Sequence, residues 1–242
     1  MHALQGSVCL IYNLGMAQLP ALEARGLTAA VQDYAKAIYT VESRHGAAST
    51  TELATLLEVR PASVSGMLRK LSALGLVEHE RYHGVRLTER GRRVALEVIR
   101  HHRLVELFLV ESLGMTWDEV HAEAEVLEHA LSEDLEELIA AKLGDPTVDP
   151  HGDPIPSREL KLAETAAPAL AELEPGQKAT FVRISDADPE MLRFLGKRGI
   201  VPGTKLELVD RQPFDGPLFV RVGKKVHALG SVLARAMHVE AA

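Results

Sequence analysis

The stretch His121-Ala122-Glu123-Ala124-Glu125-Val126-Leu127-Glu128-His129 carries the residue types of a cation site. On a helix of 3.6 residues per turn, His121, Glu125, Glu128 and His129 fall within a sector roughly 100° wide. Two imidazoles and two carboxylates on one stripe are costly to hold together unless positive charge sits among them. Upstream, His102 and Glu106 form a second pair at the four-residue spacing that joins side chains on a helix face. Imidazole with carboxylate suits Mn(II), Fe(II) or Zn(II), and an oxygen-rich set without thiolate leans towards manganese or ferrous iron. The bland alternative is a solvated acidic face with incidental histidines, which describes Glu123, Glu133, Asp134, Glu136 and Glu137. Against it stands the mixture, with His at both ends of a Glu pair and a second His-Glu pair on the preceding helix. No nucleophile elbow, phosphate-binding loop or His-Glu-x-x-His motif is present, so an enzyme is not expected.

The elements that must position these residues follow from capping and periodicity. Thr28 opens a helix through Val31, Tyr34, Ile38 and Val41, closed by Gly46. Ser49-Thr50-Thr51-Glu52 is a capping box ahead of Leu53, Leu56 and Leu57. After the turn Glu58-Val59-Arg60, Pro61 starts a third helix with Val64, Met67, Leu68 and Leu71 at helical spacing, up to Gly75. Leu76–Arg81 and Val85–Leu87 read as two short strands joined through Tyr82-His83-Gly84. Thr88 caps a helix from Glu89 to about Leu113. Thr116-Trp117-Asp118-Glu119 reads as a further capping box, opening one helix to about Leu143 with an apolar face of Val120, Ala124, Leu127, Leu131, Leu135 and Leu138. Six prolines between Gly144 and Pro175 predict a linker. Lys178–Ile184, Lys205–Arg211, Leu218–Val222 and Met237-His238-Val239 read as strands of a small β-barrel, with a helical turn or two over Glu190–Leu195.

The fold class expected is therefore mainly α with a small β domain. The boundaries are an N-terminal extension (1–26), a winged helix-turn-helix (27–98), a helical metal-binding and dimerisation domain (99–150), a linker (151–174) and a C-terminal barrel (175–242). The extension lacks a basic segment ahead of its apolar patch, so it reads as a tail rather than a signal peptide, or as sequence upstream of a start at Met16. A single cysteine, Cys9, excludes a disulfide framework and fits a reducing cytoplasm, and no apolar run approaches the roughly 20 residues of a membrane span. The net charge of −7 argues against nucleic acid until its distribution is seen. From Arg60 to Arg103 there are ten Lys/Arg against four Glu, whereas Leu104 to Pro150 holds one Lys against thirteen Asp/Glu. A phosphate backbone responds to local charge, because screening erases charge beyond about 8–10 Å. Helix, turn, helix and ribbon in the basic segment point to double-stranded DNA, with Arg60, Ser63, Ser65 and Arg69 facing base edges and Arg81, Tyr82, His83 and Arg86 on a wing. A plain protein-interaction module is the alternative.

Across about residues 28–240 the chain resembles the diphtheria toxin repressor family of metal-dependent regulators. The matching motifs are the winged helix around Pro61–Lys70, Arg100-His101-His102-Arg103-Leu104, Val120-His121-Ala122-Glu123-Ala124, Glu128-His129 and His151-Gly152-Asp153-Pro154-Ile155-Pro156. The last is a turn that carries no chemistry. The resemblance implies a homodimer that binds palindromic operator DNA when loaded with Mn(II) or Fe(II), repressing metal-uptake genes, and a C-terminal SH3-like domain akin to ferrous-transport accessory proteins. It implies a primary site of Asp33, Glu125, Glu128 and His129 with His102, and an ancillary site of His102, Glu106 and His121 completed by Asp188 and Glu190. Glu125 and Asp33 stand where iron-responsive members have Cys and Met, a hardening that resembles the manganese regulators. Where those regulators carry a further Glu one turn after the aspartate, this chain has Lys36, whose charge opposes a second ion. Without metal, the clustered carboxylates are expected to repel and release the hinge between domains. A winged-helix regulator sensing a small organic ligand is the competing reading, and predicts no stoichiometric metal uptake.

Overall fold

The computed structural model describes residues 24, 26–80, 84–163, 166–185 and 188–241. Three helices come first: α1 (Ala29–His45), α2 (Thr50–Leu56) and α3 (Pro61–Ala73). Gly46 ends α1 with φ 83°, the left-handed conformation that closes a helix without a Cβ penalty, whereas the Thr28 side chain makes no capping bond. At α2 the expected capping box forms. Ser49 Oγ accepts from the Glu52 amide at 3.2 Å, and the Ser49 amide donates to Glu52 Oε2 at 3.0 Å. Strands β1 (Val77–Glu80) and β2 (Gly84–Leu87) then pair antiparallel as the ribbon. Val31, Ile38, Leu53, Val64, Leu71, Leu76 and Val94 form the core beneath these elements. On α3, Val64, Leu68 and Leu71 are buried while Arg60, Ser63, Ser65 and Arg69 are exposed, as is Arg86 on β2. Arg81, Tyr82 and His83 lie outside the described residues, as does the N-terminal extension except for Ala24 and Gly26.

Helix α4 (Glu89–Leu113) joins two cores. Its N-terminal half packs Val94, Ala95 and Val98 into the first, and its C-terminal half packs Leu104, Val105, Leu107 and Leu109 against the helices that follow. The single helix expected over Thr116–Leu143 is instead two, α5 (Val120–Leu127) and α6 (Glu133–Lys142). Thr116 Oγ1 donates to Glu119 Oε2 at 2.8 Å, closing a turn rather than capping α5. The break has a tertiary cause. Glu128 O lies 3.2 Å from His101 Nδ1, which donates to it in place of the amide four residues on, and Ser132 Oγ starts a new helix by accepting from the Leu135 amide at 3.3 Å. After the break the faces change: Ile139 and Ala140 turn inward, and Leu135 and Leu138 are exposed together with Val126 and Leu113. The apolar face expected to run unbroken to Leu138 is therefore split.

The proline-rich stretch after α6 is only partly a linker. Residues 147–155 form a compact turn in which the Ile155 amide donates to Thr147 O (2.9 Å) and the Asp149 amide to Asp153 O (3.0 Å). Arg103 Nη1 reaches Pro154 O at 2.5 Å and Arg100 Nη1 reaches Pro156 O at 2.7 Å, anchoring the turn on α4 and extending the helical unit past 150. On its other side His151 O accepts from the Ile184 amide at 3.0 Å, tying the turn to the C-terminal unit.

That unit holds β3 (Lys178–Ile184), α7 (Pro189–Gly196), β4 (Lys205–Arg211), β5 (Leu218–Val222), β6 (Lys225–Leu229), α8 (Ser231–Ala236) and β7 (Met237–Ala241). The sheet order is β6-β5-β4-β3-β7, all antiparallel. Among the described residues β6 and β7 do not pair, so the expected barrel is an open five-stranded sheet. Phe181, Leu208, Val220, Leu229 and Val239 fill its core beneath Leu192 and Leu195 of α7. Among the described residues no helix is long and apolar enough to cross a membrane.

Candidate metal centre

Four segments converge beside the middle of α4. Helix α1 contributes Gln32, Asp33 and Lys36, α4 contributes His102 and Glu106, α5 contributes His121 and Glu125, and the chain leaving α5 contributes Glu128 and His129. Asp33 and Lys36 are one turn apart and so share a face. His129 Nε2 lies 2.8 Å from an Asp33 oxygen and 3.5 Å from Glu128 Oε1. Its other nitrogen, Nδ1, is 2.6 Å from Gln32 Oε1, and the Gln32 amide nitrogen donates to Ala24 O (3.2 Å) and Leu27 O (3.4 Å). With the amide so oriented, His129 Nδ1 carries the proton and Nε2 faces the acidic cluster. Glu128, 1 % exposed, lies 2.5 Å from His102 Nδ1. Burial raises a carboxylate, yet the His102 hydrogen bond and the Lys36 charge hold Glu128 below the usual range. Asp33 is raised, by burial first and by repulsion from Glu128 and Glu125, against the pull of His129.

The carboxylate repulsion expected to release the hinge is countered at Glu125 and Glu128 by a lysine. Lys36 Nζ sits among the oxygens, 2.7 Å from Glu125 Oε1, 2.8 and 3.0 Å from the two oxygens of Glu128, and 3.3 Å from His102 Nδ1. Burial would lower a lysine, but Glu128 and Glu125 outweigh it and lift Lys36 above its ordinary pKa. An ammonium supplied by α1 thus already offsets part of the cluster's negative charge.

A second cluster adjoins the first through His102. Its Nε2 is 3.0 Å from Glu106 Oε1 and 3.1 Å from His121 Nδ1, which is itself 3.3 Å from the same Glu106 oxygen. The barrel residues expected to complete this site do not reach it. Asp188 is engaged as the cap of α7, accepting from the Glu190 (3.0 Å) and Met191 (3.2 Å) amides, and neither Asp188 nor Glu190 belongs to any potential ligand group among the described residues. The turn after α6, for which the sequence implied no chemistry, instead brings Asp149 and His151 beside Glu106. Glu106, Asp149 and His151 are all buried, with one ligand atom of each within 4.8 Å of the others. The one signal that could have found them is that the motif already singled out opens on a His two residues after an Asp.

Buried donors without partners show that a cation suits this second site. Glu106 Oε2 and His151 Nδ1 face each other at 3.6 Å, and neither has a hydrogen-bond partner. His151 Nε2 lies 2.7 Å from Trp117 O and donates to it, which leaves Nδ1 as the atom aimed at Glu106. Burial pulls His151 down, but Glu106 and Asp149 carry it up to about 9. Asp149 is pushed up to about 7 by burial and by Asp153 and Glu106. Glu106 is held far below the usual range, since its three histidine neighbours outweigh its burial. A proton therefore occupies His151 at neutral pH, and a cation must displace it. Metal uptake here is expected to tighten as pH rises from about 7 towards 9 and to release protons. Calorimetry in buffers of different ionisation enthalpy measures that release, which should fall in His151→Ala. The metal-free fold should show the complementary trend. A raised His stabilises fully below 6.5 and loses that contribution as pH rises through about 9.

Comparison with known proteins adds an independent line. Residues 26–85 match the family model of the iron-dependent repressor N-terminal DNA-binding domain, and residues 88–157 match the iron-dependent repressor metal-binding and dimerisation domain. Residues 169–241 match the FeoA domain. The iron-dependent repressor IdeR of Mycobacterium tuberculosis is 31% identical over 220 residues, covering 86% of this chain and 95% of that protein. The diphtheria toxin repressor of Corynebacterium efficiens is 28% identical over 217 residues, covering 86% and 93%. Among solved structures, a manganese-dependent transcriptional repressor in complex with manganese superposes with a TM-score of 0.79 at 43% identity, covering 88% of this chain and 100% of that one. With a DNA-binding unit, a donor-rich helical unit and a small sheet in the same order and over nearly the same length, this chain belongs to the diphtheria toxin repressor family of iron-dependent repressors.

Proposed function

We propose that this protein is a metal-activated DNA-binding repressor, working as a homodimer with Mn(II) or Fe(II) as its regulating ion and a palindromic operator as its target. It is not an enzyme. One observation carries the reading: Asp33 belongs to the winged-helix unit, whereas Glu128 and His129 meet it from the helical unit, with His102 bonded to Glu128. A bound divalent ion supplies Lewis-acid attraction for donors from both units. The residues do the rest. Asp33 fixes α1, and through α1 the orientation of α3, while Gln32 holds the His129 tautomer that presents Nε2. Leu113, Val126, Leu135 and Leu138, exposed on the helical unit, offer an apolar face for a second copy. In such a dimer two α3 helices would meet successive major grooves at fixed spacing, with Arg60, Ser63, Ser65 and Arg69 at base edges and Arg86 near phosphates. The oxygen-rich primary donors favour manganese, and relatives named for iron and for manganese both fit the donor types. A DNA-bound repressor of this class works in the cytoplasm.

Anaerobic titration with Mn(II), Fe(II) and Zn(II), read out by operator binding, tests the reading. Affinity is expected to rise at least about tenfold with Mn(II) or Fe(II), which requires only about 1.4 kcal/mol of preference for the bound-state geometry. Operator binding indifferent to metal would sink it and favour the organic-ligand regulator.

A further inference from the structure

We propose that Lys36 is a tethered cation that stands in for the metal ion at the primary site, so that metal uptake is an exchange of one cation for another. This deepens the metal-responsive reading and rests on it. The ammonium is 2.7 Å from Glu125 Oε1 and 2.8 Å from Glu128 Oε2, and these oxygens, with His102 Nδ1, form one of the potential ligand groups. An ion held by those atoms and an ammonium at that position are incompatible, because two cations would share the same oxygens at contact distance. An ordinary surface ion pair has no such consequence: Glu128 is fully buried at its side chain and Lys36 is mostly buried.

Three properties follow from the exchange. Metal-free protein keeps α1 joined to α5 through Lys36, so the hinge is bridged rather than released by repulsion. Metal binding must eject the lysine side chain, which weakens affinity and sets the concentration at which the regulator responds. Because the ammonium and the ion need the same oxygens of Glu125 and Glu128, the site holds one of the two cations at a time.

The test uses the full-length protein and Mn(II) alone. Isothermal titration resolves the component that Glu128→Ala abolishes, and that component is compared in wild type, Lys36→Gln and Lys36→Arg. Gln keeps chain length and polarity without charge, and Arg restores the charge. Lys36→Gln is expected to bind Mn(II) about tenfold or more tightly, with Lys36→Arg close to wild type. Without metal, Lys36→Gln should melt at a lower temperature than either, because Glu125 and Glu128 lose their neutralising partner. Wild-type binding at the same or greater affinity than Lys36→Gln would overturn the tethered cation while leaving the metal site intact. Absence of Mn(II) uptake by all three would overturn both readings. If Lys36→Gln does not fold without metal, Lys36→Met titrated into Mn(II)-containing refolding buffer decides by its midpoint metal concentration: a midpoint below wild type supports the exchange, and one at or above it overturns it.

Discussion

Glu128→Ala should abolish the metal response of operator binding and destabilise the metal-free fold. Glu128 is 1 % exposed, and its oxygens receive Lys36 Nζ at 2.8 and 3.0 Å and lie 2.5 Å from His102 Nδ1. Truncation leaves the Lys36 ammonium with only the part-exposed Glu125 as its anion and takes the buried carboxylate from His102 Nδ1. Breaking a buried pair by removing one partner costs about 3–5 kcal/mol, most of it the penalty of an uncompensated charge. Glu125 touches the same lysine, but its side chain is 40% exposed. Solvent screening there limits Glu125→Ala to about 1 kcal/mol of stability. Denaturant titration of both variants checks the contrast, and equal losses would contradict it. The pH signature is specific. A carboxylate held below its unfolded value of 4.5 stabilises above that pH and loses its contribution as pH falls through the folded value. Acid unfolding of the wild type below about 4.5 should therefore include a component missing from Glu128→Ala.

Gly152→Ala should be among the most disruptive single-methyl changes in the chain. Gly152 has φ 88°, and a Cβ there would lie 1.8 Å from Val182 O and 3.0 Å from Arg183 Cα. These are backbone atoms of β3 and cannot yield by rotating a side chain. The neighbouring bond from the Ile184 amide to His151 O would break as the turn is pushed away, and His151 would withdraw from Glu106. Gly176, with φ 89° and nothing within 4 Å of its would-be Cβ, is the control. Gly176→Ala pays only the left-handed backbone cost of about 1–2 kcal/mol. Gly152→Ala should lose clearly more, and should lose the proton-releasing metal uptake assigned to His151, which Gly176→Ala keeps. Thermal melts and calorimetry on the pair decide it. Similar losses in both would mean that the turn and β3 separate more easily than their packing implies.

Much of the architecture is written locally. Lys178–Ile184, Lys205–Arg211 and Leu218–Val222 are strands with the bounds that alternation implies, and Gly46, Ser49, Thr88 and Gly114 stop or start helices where their chemistry dictates. Helical spacing puts His102 with Glu106, and His121 with Glu125, on single helix faces, and the packing of α5 on α4 brings the two sets together. The strand Lys225–Leu229 and the helix Ser231–Ala236 escaped notice, being short and without a clear period.

What the chain alone determined was the inventory: three units in order, a basic reading head and a donor-rich seam. Only the tertiary structure decided how that inventory divides. His101 takes the carbonyl of Glu128 and breaks a helix that periodicity would have continued. Asp188 is engaged as a helix cap, while His151, in a turn that looked inert, faces Glu106 with an unpartnered nitrogen. Lys36, which local sequence marks only as a charge opposing a second ion, lies where the first would sit. The contacts of His101, His151 and Lys36 depend on partners 27 to 92 residues apart in the chain, where helical periodicity has no memory and only packing fixes which donor meets which oxygen.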